Sequence, residues 1–132
     1  MARDFLVTLD AGTGSARCVV FDTQGQPVAA AQEPLSYQFF SDPDLPLVRG
    51  FDLDPVAFWD VLSRCARAAL AALPADARIR GVSATAQREG CVFLDAGGEV
   101  LYAGPNLDAR AVMQGMEVQS RIAPERLHAI TG

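Results

Sequence analysis

The chain has 132 residues, half of them hydrophobic, which is enough for one domain with a hydrophobic core. Its formal net charge of -5 argues against nucleic acid or an anionic membrane as the main partner. No apolar run approaches the roughly 20 residues of a membrane span, and the first residues lead directly into a predicted strand, so we expect a cytoplasmic protein.

Two short apolar runs near the start, residues 6–9 and 18–21, predict strands, and the second is apolar enough to be central in a sheet. Residues 27–32 predict a third strand, which completes an antiparallel meander. Residues 33–50 are rich in Pro, Asp and aromatic residues without a period, which predicts a long ordered loop. Its aromatic side chains would form a small satellite core; they are Tyr37, Phe39 and Phe40.

Asp54 and Pro55 predict the start of a helix, with an acceptor at the N-cap and proline in the first turn. Pro74 marks its end. Six residues at helical spacing predict its core-facing side: Phe58, Leu62, Cys65, Ala66, Ala69 and Leu73. A strand over residues 79–85 follows a crossover, so we expect it to lie parallel to the first strand in a mixed sheet.

Residues 91–94 and 100–102 predict a β-hairpin around the turn at residues 95–98. Helices are predicted from about residue 108 to 121 and from 124 to 130. The inward-facing residues expected in the first of these are Val112, Met116 and Val118.

The three cysteines, Cys18, Cys65 and Cys91, have no close spacing, and each lies in a predicted apolar element. We therefore expect reduced core residues. The only histidine, His128, lies near the end of the chain, which disfavours a zinc site or a cysteine nucleophile.

The turn between the first two strands, residues 12–15, is the first candidate site. Gly12 and Gly14 can adopt positive φ and let backbone amides approach a ligand, and Thr13 and Ser15 add hydroxyl donors. Such a turn suits a phosphate. On residue types alone, a plain glycine-rich hairpin explains the turn equally well.

Two side chains flank this turn. Asp10, at the end of the first strand, suits a hard cation such as Mg²⁺, and Arg17 could neutralise phosphate charge. A Rossmann fingerprint is excluded because a strand, not a helix, follows Gly14. A P-loop is excluded because the sequence contains no lysine.

Arg88 and Glu89 form the second candidate site, at the carboxyl end of a strand that we expect to be central. Together they can donate to and accept from vicinal hydroxyl groups. A surface salt bridge is the alternative interpretation, and the position between two apolar strands favours a functional role.

With both clusters in view, the sequence resembles the FGGY carbohydrate kinases, which phosphorylate sugars and polyols. The resemblance rests on four runs in the family's order and spacing: Leu9–Arg17, Asp54-Pro55 with Trp59, Gln87–Glu89, and Asp108–Arg110. It implies an RNase H-like, actin-like ATPase fold, an α/β architecture with a mixed sheet and flanking helices.

The resemblance also implies roles for individual residues. Asp10 would help to position Mg²⁺. The γ-phosphate of ATP would be held by Gly12, Thr13, Gly14, Ser15 and Arg17. The acceptor substrate would be bound by Arg88, Glu89, Asn106 and Asp108. Asp108 could instead orient the following helix, as its N-cap, or Arg110.

The implied activity is ATP-dependent phosphorylation of a primary hydroxyl on a small sugar, polyol or sugar-like substrate. Gly90 after Arg88-Glu89, and the run Asn106–Arg110, look most like the autoinducer-2 kinases of the family. Xylulose kinases usually carry Met-His at the Arg88-Glu89 pair, and glycerol kinases have tryptophan at Asn106.

In the family, the catalytic base and the adenosine-binding residues lie far downstream. The resemblance therefore implies that residues 1–132 are an incomplete N-terminal domain whose C-terminal ATP-binding domain is missing. Two alternatives stay open: a kinase for another polyol or ketose, such as glycerol or xylulose, and a non-catalytic binding domain of the actin-like fold. The identity of the acceptor and the presence of a homodimer also stay open.

Overall fold

A computed structural model describes residues 3–42 and 45–132 of the chain. Its strands are β1 (Arg3–Ala11), β2 (Ser15–Asp22), β3 (Pro27–Pro34), β4 (Gln38–Asp42), β5 (Leu45–Asp52), β6 (Ala77–Ala86), β7 (Cys91–Leu94) and β8 (Val100–Gly104). Its helices are α1 (Pro55–Ala71), α2 (Val112–Arg121) and α3 (Pro124–Thr131). Among the described helices, none is long and apolar enough to cross a membrane.

The main sheet has four strands in the order β3-β2-β1-β6. The antiparallel meander β1-β2-β3 and the parallel pairing of β6 with β1 confirm the predicted mixed sheet. β2 is central, as predicted, but β6 forms the edge of the described sheet. Within the described residues no strand pairs with the outer edge of β6, so the prediction of a central strand is not met there. Two of its apolar side chains are also exposed, Val82 65% and Ile79 40%.

α1 packs on one face of this sheet and creates the core. Asp54 is its N-cap, as predicted, and its carboxylate accepts from the backbone N–H groups of Val56 and Ala57 at 2.9 and 3.0 Å. This satisfies two donors that the first turn leaves free. The buried cluster comprises Phe5, Val7, Cys18, Val20, Cys65 and Ala69. The opposite face of the sheet carries Leu6, which is 45% exposed.

The segment predicted as a loop is mainly strand, which corrects the interpretation of residues 33–50. β3 extends to Pro34, and β4 pairs antiparallel with β5. Residues 43 and 44 of this segment lie outside the described residues. The frequent Pro and Asp residues obscure the alternation of the two strands, and the pairing depends on a cross-strand contact. Phe39 lies opposite Phe51, with ring centroids 5.5 Å apart.

The β7–β8 hairpin and α3 lie where the sequence predicted them. α2 begins at Val112, four residues later than predicted, and its expected inward residues Val112, Met116 and Val118 are 48%, 60% and 47% exposed. No described element covers them, which is why amphipathic spacing alone misjudged their burial. Cys91 is exposed, so the prediction of a core residue was wrong there, whereas Cys18 and Cys65 are buried.

Candidate functional site

Residues 12–15, which we call the glycine turn, join β1 to β2 at one end of the sheet. The backbone N–H of Gly12 donates to the carbonyl of Ser15 at 3.0 Å and closes the turn. Neither Gly12 nor Gly14 has positive φ, contrary to the flexibility that the sequence suggested. Gly12 is instead needed for space, since a Cβ there would lie 3.2 Å from the carbonyl oxygen of Ser15.

Asp10 and Arg17 are direct partners in the β1–β2 register, one pair further from the turn than Ala11 and Ala16. Arg17 donates from Nη2 to the carboxylate of Asp10 at 2.6 Å, and both side chains are partly exposed. Ser15 accepts at its hydroxyl from Gln32 on β3 at 2.8 Å. The turn therefore has one carboxylate and one guanidinium at its base, both accessible from solvent.

Thr13 and Asn106, predicted for different parts of the site, are in contact. Asn106 lies after β8, 93 residues further along the chain, and its Nδ2 donates to the Thr13 hydroxyl at 2.9 Å. The structure thus brings the predicted phosphate turn together with one predicted acceptor residue.

Two further side chains extend this contact. Tyr37, half-buried, donates from its hydroxyl to the carbonyl oxygen of Thr13 at 2.5 Å. Gln87 donates from Nε2 to the Tyr37 hydroxyl at 3.3 Å, and its Oε1 accepts from the backbone N–H of Asn106 at 3.0 Å. Tyr37 was predicted as part of an aromatic satellite core, and this contact with Thr13 corrects that interpretation.

Arg88 and Glu89 follow directly on Gln87. The backbone N–H of Gln87 donates to the carbonyl of Ala11 at 2.9 Å, and Ala11 is the residue just before the glycine turn. Both side chains are exposed, and within residues 3–42 and 45–132 no ion pair involves either of them. The described contacts therefore give no support to the alternative of a surface salt bridge. Glu89 has φ of 64°, the one non-glycine residue with positive φ in the described chain.

Asp108 is the most buried carboxylate near this site, with a side chain 6% exposed. It accepts from the hydroxyl of Tyr102 at 2.7 Å and from Nε of Arg110 at 2.9 Å. Burial by itself would raise the pKa of Asp108, but the hydrogen bonds from Tyr102 and Arg110 outweigh it and hold the pKa below its usual value. The N-cap of α2 is Ala111, so Asp108 does not cap that helix and instead orients Arg110. Its predicted contact with substrate stays a prediction.

Arg110 connects this carboxylate to the β4–β5 hairpin. Its Nη2 donates to Asp52 at 2.8 Å and to the carbonyl of Phe51 at 3.2 Å. The guanidinium lies over the ring of Phe40, 4.7 Å from the centroid. Asp108 and Arg110 thereby fix the chain that follows Asn106.

Sequence reasoning missed the contacts of Tyr37 and Gln87 with the glycine turn. Tyr37 lies in a segment interpreted as a loop, and a tyrosine among phenylalanines resembles ordinary core. The one available signal was the polar hydroxyl, which a buried tyrosine must satisfy. Gln87 was noticed only as part of the run that contains Arg88 and Glu89.

Comparison with known proteins gives a consistent result. The family model described as "FGGY family of carbohydrate kinases, N-terminal domain" matches residues 5–132. Autoinducer-2 kinase of Salmonella typhimurium is 44% identical over 117 residues, which are 87% of this chain and 21% of that protein. The chain therefore spans about a fifth of the length of this relative.

Solved structures agree on the fold. Xylulose kinase from Rhodospirillum rubrum aligns with a TM-score of 0.75 at 24% identity, over 92% of this chain and 24% of that one. Plasmodium falciparum glycerol kinase with ADP aligns with a TM-score of 0.75 at 18% identity, over 91% and 24% of the two chains. At these identities the likeness shows the fold alone, which is the predicted α/β fold of the sugar kinases.

Proposed function

Because this chain belongs to the FGGY family of carbohydrate kinases, we propose that it is the N-terminal part of an ATP-dependent kinase. The kinase phosphorylates a primary hydroxyl on a small sugar, polyol or sugar-like substrate. The observation that carries this proposal is the contact between Thr13 and Asn106. It sets a turn suited to phosphate beside the segment suited to hydroxyl groups, which is the juxtaposition that phosphoryl transfer requires.

The glycine turn would hold the γ-phosphate of ATP. Its backbone N–H groups and the hydroxyls of Thr13 and Ser15 can donate hydrogen bonds to phosphate oxygens. Arg17 adds a positive charge at the base of the turn. Concentrating donors around one point stabilises charge that develops on the transferred group. The Arg17 guanidinium would turn from Asp10 towards the phosphate when nucleotide binds.

Asp10 fits a magnesium ion that arrives with ATP. Within the described ranges, no three carboxylate, histidine or cysteine side chains cluster in a way that could hold a metal ion by themselves. Mg²⁺ commonly uses one or two carboxylates together with phosphate oxygens and waters, so the single carboxylate of Asp10 suits it. Bound Mg²⁺ would neutralise charge on the phosphates.

Arg88 and Glu89 would bind the hydroxyl groups of the acceptor. Both are exposed, and neither is engaged in an ion pair with another described residue, so their polar groups are available to a ligand. The positive φ of Glu89 costs of order 1 kcal/mol or more for a residue with a side chain. Such strain is concentrated at functional sites, which supports a role in binding.

For the acceptor we propose a linear dihydroxy-pentanedione, the autoinducer-2 type of substrate. The support is the 44% identity to an autoinducer-2 kinase over most of this chain. The xylulose and glycerol kinases share the fold at 24% identity or less, so they favour neither of those acceptors. We further propose a cytoplasmic enzyme, because its ATP would be drawn from that compartment.

The general base and the adenosine site belong, in this proposal, to a C-terminal domain beyond these residues. The chain covers only 21% of the kinase from Salmonella, which is consistent with a further domain that completes the active site. Residues 1–132 alone should therefore show no acceptor-dependent release of ADP. Sustained release by this chain alone would mean that its own carboxylates include the base.

The deciding experiment is a substrate panel on the complete polypeptide that contains this chain. ADP release is followed with ATP-Mg²⁺ and the dihydroxy-pentanedione, glycerol, xylulose or other polyols and ketoses. We expect the highest kcat/KM with the dihydroxy-pentanedione. A higher value for another acceptor would reassign the substrate, and binding of neither ATP nor any acceptor would indicate a non-catalytic domain.

A further inference from the structure

Four residues from four separate segments form a closed ring of hydrogen bonds, which we call the four-residue ring: Thr13, Tyr37, Gln87 and Asn106. Tyr37 donates to the backbone of Thr13, and Gln87 donates to Tyr37. Gln87 accepts from the backbone of Asn106, whose side chain returns to the Thr13 hydroxyl. Each link is between 2.5 and 3.3 Å.

The side chain of Gln87, which supplies two links of the ring, packs over Gly90. A Cβ on Gly90 would lie 3.1 Å from Cγ and 3.2 Å from Cδ of Gln87, tighter than ordinary contact. A larger residue at position 90 would therefore require Gln87 to shift by a few tenths of an ångström. Tyr37 and Gln87 are both half-buried, and the two links through the Tyr37 hydroxyl are partly shielded from water, whereas the link from Asn106 to Gln87 is exposed.

The ring joins the two halves of the candidate site. Thr13 belongs to the glycine turn, and Gln87 immediately precedes Arg88 and Glu89. A shift of the turn relative to the acceptor segment must break at least one link, because every member of a closed ring has partners on both sides. The ring thus adds side-chain links to the backbone bond between Gln87 and Ala11, and together they hold the two groups of ligand-binding side chains at a set distance.

We propose that Tyr37 and Gln87 are positioning residues that set the distance between the γ-phosphate and the acceptor hydroxyl. The inference rests on the proposed function. Neither residue needs to touch a substrate: Tyr37 acts through Thr13, and Gln87 acts through Arg88 and Glu89. A displacement of about 1 Å between reacting groups can cost on the order of 100-fold in rate, so a small loosening of the ring is enough.

The test compares Tyr37→Phe and Gln87→Ala with the wild type in the complete kinase polypeptide. Tyr37→Phe removes only the hydroxyl oxygen and keeps the aromatic side chain. We expect kcat to fall roughly 10- to 100-fold in each variant, while KM for the acceptor and for ATP changes less than about threefold. Gln24→Ala is the matched control, since Gln24 lies in the β2–β3 turn and its side-chain amide donates to Thr23, while its backbone N–H bond to Asp22 does not depend on the side chain.

A second measurement keeps the inference separate from the proposed function. Hydrogen–deuterium exchange in the glycine turn should become at least tenfold faster in Tyr37→Phe and stay unchanged in Gln24→Ala. An active wild type whose Tyr37 and Gln87 variants keep normal kcat would overturn the positioning role. A wild type that phosphorylates no acceptor would overturn the proposed function instead, and unchanged exchange in Tyr37→Phe would overturn the ring itself.

Discussion

Arg17 and Asp10 lie opposite each other on β2 and β1, one pair away from the end of the strands at the glycine turn, and form an ion pair with Nη2 and Oδ2 2.6 Å apart. The pair joins the residue predicted to neutralise phosphate with the residue predicted to position Mg²⁺. Without ligand, each satisfies the other. Since both side chains are partly exposed, a phosphate and its metal ion can displace the pair at low cost in stability.

The first prediction concerns Asp10→Asn in the complete kinase. We expect kcat to fall at least about 100-fold, because the amide cannot supply the charge that positions the metal ion. The melting temperature should change little, since exposed ion pairs contribute about 0–1 kcal/mol. Asp60→Asn, on the exposed side of α1, is the control and should keep full activity. Normal turnover by Asp10→Asn at ordinary Mg²⁺ concentrations would refute the metal role.

The second prediction concerns the acceptor pair. Arg88→Ala and Glu89→Ala should each weaken binding of the acceptor roughly 5- to 150-fold, which corresponds to about 1–3 kcal/mol for a lost hydrogen-bonding partner. Binding of ATP should stay within about twofold. Isothermal titration with each ligand separately measures both effects. If acceptor binding is unchanged in both variants, the pair is an ordinary feature of the surface.

The third prediction separates the strain at Glu89 from its chemistry. Glycine adopts positive φ without the penalty that a side chain brings, so Glu89→Gly should be more stable than Glu89→Ala by about 1 kcal/mol. Both variants lack the carboxylate and should bind the acceptor equally poorly. Urea denaturation of the two variants gives the difference. Equal stability would show that the backbone at position 89 relaxes when the side chain is removed.

Much of the fold was predictable because its signals are local. The N-cap Asp54 and the period of Leu62, Cys65 and Ala69 identify α1, and each of these residues has the predicted role. The crossover then places β6 parallel to β1, as chain connectivity requires. These predictions needed no knowledge of distant contacts.

The errors arose where distant contacts decide the outcome. The β4–β5 hairpin depends on the contact between Phe39 and Phe51, which the sequence of either strand alone does not predict. Likewise, Met116 in α2 was expected to be buried but is exposed, because no described element packs against it. In the candidate site, the types of residue were visible in the sequence, but the ring through Tyr37 and Gln87 exists only in three dimensions.

The fourth prediction tests the packing that supports Asp108. A Cβ on Gly104 would overlap the hydroxyl of Tyr102, which donates to Asp108. Gly104→Ala should therefore displace Tyr102 and destabilise the domain by about 1–3 kcal/mol, the cost of a buried acceptor that loses its partner. Gly115→Ala is the control, since Gly115 lies within α2 with open space around it, and alanine there should be neutral or stabilising. Equal melting temperatures of the two variants would contradict this role of Gly104.

The fifth prediction concerns acid stability. In the folded chain, hydrogen bonds from Tyr102 and Arg110 outweigh the effect of burial and hold the pKa of Asp108 below the value of about 3.9 for an unfolded chain. A lowered folded pKa means that the charged Asp108 stabilises the fold above pH 4, and that this contribution is lost as the pH falls through the folded pKa. Asp108→Asn should thus melt earlier than the wild type at pH 7, and the difference should shrink steadily below pH 4. Asp60→Asn should follow the wild type throughout. A gap between wild type and Asp108→Asn that stays constant from pH 7 down to pH 2 would show that the charge of Asp108 is not what stabilises this part of the site.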